Sequence, residues 1–118
     1  MILATAHQHK RQFEKNKATI AVVKQLDSPP NDWLITMAFY AAVHLIEGVI
    51  VDKTSQGTKD HKTRRVAMNM ISTLKPVNAL YSTLEEYSHR SRYQCKSFNK
   101  EEVSKILGYL DRIEKQLA

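Results

Sequence analysis

The sequence predicts an all-α protein, a four- to five-helix up-and-down antiparallel bundle made by one domain over residues 1–118. Three observations carry that expectation. The nineteen-residue run Trp33 to Val51 is apolar nearly all round and sets Tyr40, His44 and Glu47 at helical spacing, the pattern of a central helix packed on several sides. Breaks near Pro29-Pro30, Gly57, Pro76 and Ser97 cut the chain into pieces of helical length. Within each piece apolar residues recur every three or four positions, and none alternates as a half-buried strand does.

Residues 2–26 read as one long helix with Ala6, Phe13, Ile20 and Val23 on one stripe and a polar middle from His7 to Lys17. His7 and His9 are two positions apart and do not face each other, as helical metal ligands at i and i+4 would; no metal is expected there. Asp27-Ser28-Pro29-Pro30 ends the helix, because proline lacks the amide hydrogen and forces its predecessor into extended geometry. Asn31 or Asp32 can cap the central helix. That helix is long enough to span a bilayer. Its Tyr-His-Glu stripe, Gly48 and the negative mean hydropathy of the chain favour the core of a soluble bundle with no membrane partner.

A polar loop over residues 52–60 leads to Asp60, which can cap a helix from His61 to Leu74 with Ala67, Met70, Ile71 and Leu74 as its buried stripe. Pro76 suits the opening of a fourth helix, Val77 to Tyr93, whose inner face is Val77, Leu80, Tyr81, Leu84, Tyr87, Ser88 and Ser91. Asn99 with Glu102 matches a capping box for the last helix, Lys100 to Leu117, with Val103, Ile106, Leu107, Leu110, Ile113 and Leu117 inward. Gly108 would permit a close helix contact.

Charge points toward an anionic partner. The chain carries 18 Lys plus Arg against 12 Asp plus Glu, and the excess is uneven. Between His61 and Phe98 seven basic residues face two acidic ones, while residues 31–60 hold two against four. RNA, DNA or a nucleotide would suit such a surface. The lone Cys95 excludes an internal disulfide and reads as a bland, half-buried thiol. With no apolar signal core after Met1-Ile2-Leu3-Ala4, a cytoplasmic protein is expected.

Catalytic motifs are scarce. There is no glycine-rich phosphate loop, CxxC, HExxH or GxSxG, and no cofactor is expected. Two constellations remain. Tyr40, His44 and Glu47 form a polar stripe on an apolar helix, either a structural network or part of an internal site served by His61, Arg65, His89, Arg90 and Arg92. Arg64, Arg65, Arg90 and Arg92, with Tyr87 and Tyr93 close in sequence, interleave cations and rings in the manner of a surface that grips phosphates and stacks bases.

The segments FYAAVHLIEGVI, HKTRR, LYSTLEEYSHRSRY and EEVSKILGYLDRIEKQL, read in that order from Asp32 to Leu117, resemble a HEPN domain (higher eukaryotes and prokaryotes nucleotide-binding). The resemblance implies a helical bundle, often a homodimer, in toxin-antitoxin, antiphage or RNA-processing proteins. Catalytic members of that family are metal-independent ribonucleases with an Arg-x4-6-His motif on a late helix. Here no histidine follows Arg90 or Arg92, and His89 precedes both. The resemblance therefore implies a nucleic-acid-associated module of a conflict system that cuts weakly or not at all. The alternatives are a ribonuclease with an unusual set, His44, His61, Arg65, His89 and Arg92, and a dimeric module that binds a protein partner of such a system.

Overall fold

The computed structural model describes residues 4–117. Among them are five α-helices: α1 Ala6–Lys24, α2 Asn31–Thr54, α3 His61–Met70, α4 Asn78–Tyr93 and α5 Lys100–Leu117, with a 3-10 segment, Ser72–Val77, between α3 and α4. No strand occurs among the described residues, so the all-α bundle expected from the sequence is the fold observed. The radius of gyration is 14.0 Å, close to the ~13–14 Å that one domain of this length adopts.

α2 is the hub. α1, α4 and α5 pack along it, and α3 touches it across Glu47 and Phe39. Its buried residues point in every direction, from Leu34, Ile35, Ala38 and Phe39 to Ala41, Ala42, Ile46 and Ile50. Small residues admit the neighbouring helices: a Cβ at Gly48 would lie 3.6 Å from His9 Cβ and 3.8 Å from Ala6 O, so α1 crosses close to this point. Phe13 and Ile20 of α1, Tyr81 and Leu84 of α4 and Val103, Ile106 and Leu110 of α5 complete the core. α2 has the length and apolar composition to cross a membrane, and in this fold 61% of its most apolar window is packed inside.

Local chemistry sets the ends. Thr5 and Gln8 make a reciprocal capping box at α1, Asp60 and Thr63 one at α3, and Asn99 and Glu102 one at α5. α2 differs from expectation: its cap position is Pro30, and no side chain caps it. Asn31 instead donates from Nδ2 to the Phe98 carbonyl at 2.9 Å, tying the start of α2 to the link before α5. The helix closes at Ser55, which takes the left-handed conformation, φ 62°.

Several expectations of packing are corrected. α3 ends at Met70, not Leu74, because Ile71 is extended and the chain continues as a 3-10 turn that drops Leu74 and Val77 into the core. The inward face of α3 is Arg64 and Met68, while Met70 is 79% exposed. Arg64 faces inward, where its Nε pairs with the Glu47 carboxylate. Gly108 has no neighbour within 4 Å of an added Cβ, so it marks no close helix contact. Cys95 is exposed and takes φ 52° just beyond α4, rather than lying half-buried.

Candidate nucleic-acid interface

The polar stripe of α2 separates into three contacts, each with a different partner. Glu47 is buried and forms an ion pair with Arg64, Nε to Oε1 at 2.8 Å. Thr58 completes the carboxylate, its backbone N–H donating to Oε2 at 3.0 Å and its hydroxyl donating to Oε1. Burial pushes the Glu47 pKa up, but the Thr58 and Arg64 hydrogen bonds outweigh it and hold the carboxyl below its ordinary value. Arg64 also donates from Nη1 to the Tyr81 hydroxyl at 3.1 Å and to His61 Nδ1 at 2.8 Å. Arg64 is thus a buried structural residue linking α2, α3 and α4. Of the four arginines expected to contact nucleic acid, Arg64 is the buried one, with Nε and Nη1 committed to Glu47, Tyr81 and His61.

His44 meets α1 instead. Its Nδ1 is 3.0 Å from Nδ1 of His9, one donating and the other accepting. Burial is the largest influence on both rings and lowers both pKa values, and for His44 the neighbouring His9 and Arg64 lower it further. It borders a cavity of about 440 Å3 between α1, α2 and α5, lined also by Phe13, Leu45 and Asp52. His44 is therefore separated from the other candidate catalytic residues. Tyr40, expected in the buried core, is 39% exposed, and its hydroxyl accepts from Arg92 Nη1 at 3.0 Å.

The remaining candidates come together. His61, Arg65, His89, Arg90 and Arg92 line one groove of about 550 Å3, bordered by Ser82, Glu85 and Glu86. α3 supplies the first two from adjacent turns of its exposed side. The basic end of α4 supplies the rest, where cations oppose the negative end of the helix dipole. Two arginines are already matched: Arg65 to Glu85 at 2.6 Å and Arg90 to Glu86 at 2.6 Å. Arg92 has no carboxylate partner among the described residues. It donates to the Ser88 carbonyl at 3.3 Å and to Tyr40, and sits against the ring of Tyr93 with 4.9 Å to its centre.

Burial, then Arg64, lower the His61 pKa, with Glu85 opposing, which favours the neutral ring. Arg64 can only donate, so Nδ1 of His61 must accept, and the ring's single proton sits on Nε2. In that tautomer Nε2 can donate a hydrogen bond but has no lone pair to take a proton. Glu85 Oε2 is buried without a hydrogen-bond partner and lies 3.6 Å from His61 Nδ1. The groove thus contains three guanidinium groups and a hydrogen-bond donor at His61 Nε2, and lacks a poised base at His61. No cluster of three or more metal-ligating side chains occurs among the described residues.

The partners of this network are hidden in the sequence. His9 pairs with His44 and Arg64 with Glu47 across 35 and 17 residues, and no local pattern links them. The one available signal is Arg64 itself, placed at the fourth position of a capped helix that opens His-x-x-Arg. The chain matches no protein-family model, no curated protein sequence and no solved structure.

Proposed function

We propose that the groove between α3 and α4 binds the sugar-phosphate backbone of RNA and leaves the strand uncut, or cuts it only weakly. The observation that carries this reading is the convergence of Arg65, Arg90 and Arg92 on one open groove, with Arg92 unmatched by any carboxylate among the described residues. Guanidinium groups suit phosphate through paired, charge-assisted donors. Cleavage without a metal needs one group to take the 2′-OH proton and another to protonate the leaving oxygen. His61 offers the wrong tautomer for the first task, and His44 lies outside the groove. The HEPN resemblance adds the setting: a cytoplasmic module of a toxin-antitoxin or defence system, active as a homodimer.

A second reading has one observation in its favour. His61 and His89 line the same groove as Arg92, so a ribonuclease could work there if the strand displaced Arg64 from His61. Incubating labelled RNA with the protein in EDTA separates the two. Binding without cleavage is expected. Robust cleavage that disappears in His61→Ala or His89→Ala would overturn the proposal in favour of the ribonuclease.

A further inference from the structure

The exposed aromatic side chains of the chain gather beside the groove. Trp33, Met37 and Tyr40 follow one stripe of α2 at helical spacing, and the other helices leave Trp33 62% and Tyr40 39% exposed. The last turn of α4 is pinned against this stripe. Ser91 Oγ donates to the Asp32 carbonyl at 2.9 Å and lies 3.4 Å from Thr36 Oγ1. Tyr93 ends that turn and is 66% exposed. The Arg92 guanidinium lies 4.9 Å from the centre of the Tyr93 ring and 5.5 Å from that of Tyr40, so it belongs to the strip and to the groove alike.

Rings of this size normally carry their large apolar area into a core. Here the core is filled without them, and large exposed rings set near one another mark a place where something binds. We propose that Trp33, Tyr40 and Tyr93 stack the unpaired bases of an RNA strand whose phosphates run through the Arg65–Arg90–Arg92 groove. The ligand is then single-stranded, since a duplex keeps its base faces inside. The inference rests on the RNA-binding reading above and names the form of RNA.

Two observations select this occupant. Arg92 makes the strip continuous with the groove, so one polyanion with flat apolar groups fits both. The charge beside the strip is basic: Arg92 has no carboxylate partner among the described residues and Lys96 follows α4, while Arg90 is paired with Glu86 and Asp32 is the acidic neighbour of Trp33. A second copy of the chain docked on the same face would set these cations against their own kind.

Trp33 is the sole tryptophan, so its emission reports on this strip alone. The test titrates the protein with a twelve-nucleotide RNA of mixed sequence at low salt, as a single strand and as its perfect duplex. The expected result is quenching of Trp33 by the single strand, with affinity at least about tenfold above the duplex. By labelled-RNA anisotropy, Trp33→Ala and Tyr93→Ala should each weaken single-strand binding by roughly tenfold, within the range that base stacking commonly supplies, and change duplex binding little. Both residues are exposed, and circular dichroism melts check that the variants fold. Equal, salt-sensitive binding of both forms with unchanged Trp33 emission would overturn the stacking proposal and leave the RNA-binding reading intact. No binding of either form would overturn both. A shift of Trp33 emission with protein concentration alone, abolished with a dimer in Trp33→Ala, would assign the strip to a second copy and overturn the proposal.

Discussion

Arg64 and Arg92 show how differently two arginines are used within one short chain. Arg64 serves the fold: its Nε and Nη1 donate to Glu47, Tyr81 and His61. Removing one member of such a buried pair leaves the other charge uncompensated and commonly costs ~3–5 kcal/mol. Glu47→Gln should therefore lower stability by about that much in a denaturant titration. The pH dependence has a definite sign. The folded Glu47 carboxyl lies below its ordinary value of 4.5, so the pair stabilises fully above that value and the contribution fades as pH falls through the folded pKa. The parent should lose this increment of stability in acid below about pH 4.5, and the Gln variant should lack it at every pH. An identical acid profile for the two would show that Glu47 is not paired.

Arg92, by contrast, rests on an exposed hydroxyl and exposed rings. Tyr40→Phe removes only that hydroxyl, whose loss water can make good, so the unfolding midpoint should move by less than ~0.5 kcal/mol equivalent. A loss above about 1.5 kcal/mol would mean that Tyr40 sits in a core network after all. Helical periodicity places Tyr40, His44 and Glu47 on one stripe. It does not tell which part of that stripe the neighbours cover, because that depends on where α1 and α4 cross α2.

Among the helices, the sequence is most legible where the signals are local. The capping residues Asp60 and the Asn99–Glu102 pair need only three residues of context, and both form. The inward faces of α4 and α5 follow their apolar spacing, with Tyr81, Leu84, Ser88, Ile106 and Ile113 fully buried. α3 departs from its apolar spacing for a reason that spacing cannot contain: its polar Arg64 is inside and its apolar Met70 outside. Gly108 departs in the same manner. With no neighbour near an added Cβ, it is an unnecessary gap in a helix. Gly108→Ala should raise stability by ~0.5–1 kcal/mol through helix propensity, and a destabilised variant in thermal melts would reveal a contact at that face.

At the scale of the whole molecule, the helices bring four of the five candidate catalytic residues to one groove and leave His44 on the separate cavity between α1, α2 and α5. The gathering of Arg65, Arg90 and Arg92 is foreshadowed by the uneven charge of residues 61–98. The aromatic strip is not, because Trp33 and Tyr40 lie in the most apolar run of the chain and read as core. The neutralisation of Arg65 and Arg90 by Glu85 and Glu86 is equally invisible in the sequence, and it leaves Arg92 as the free cation of the groove among the described residues. RNA binding should accordingly depend on Arg92 above its neighbours and on salt, because an arginine that neutralises a phosphate releases a counterion. The most direct measurement is the affinity for a short single-stranded RNA across a salt series, for the parent and for Arg90→Ala/Arg92→Ala. The parent should bind at low salt with affinity falling steeply as salt rises. The double variant should bind more weakly, with a log-log slope shallower by roughly one unit for each phosphate it no longer neutralises. Absence of binding at low salt, or a slope that the two substitutions leave unchanged, would contradict a phosphate-binding groove at this end of α4.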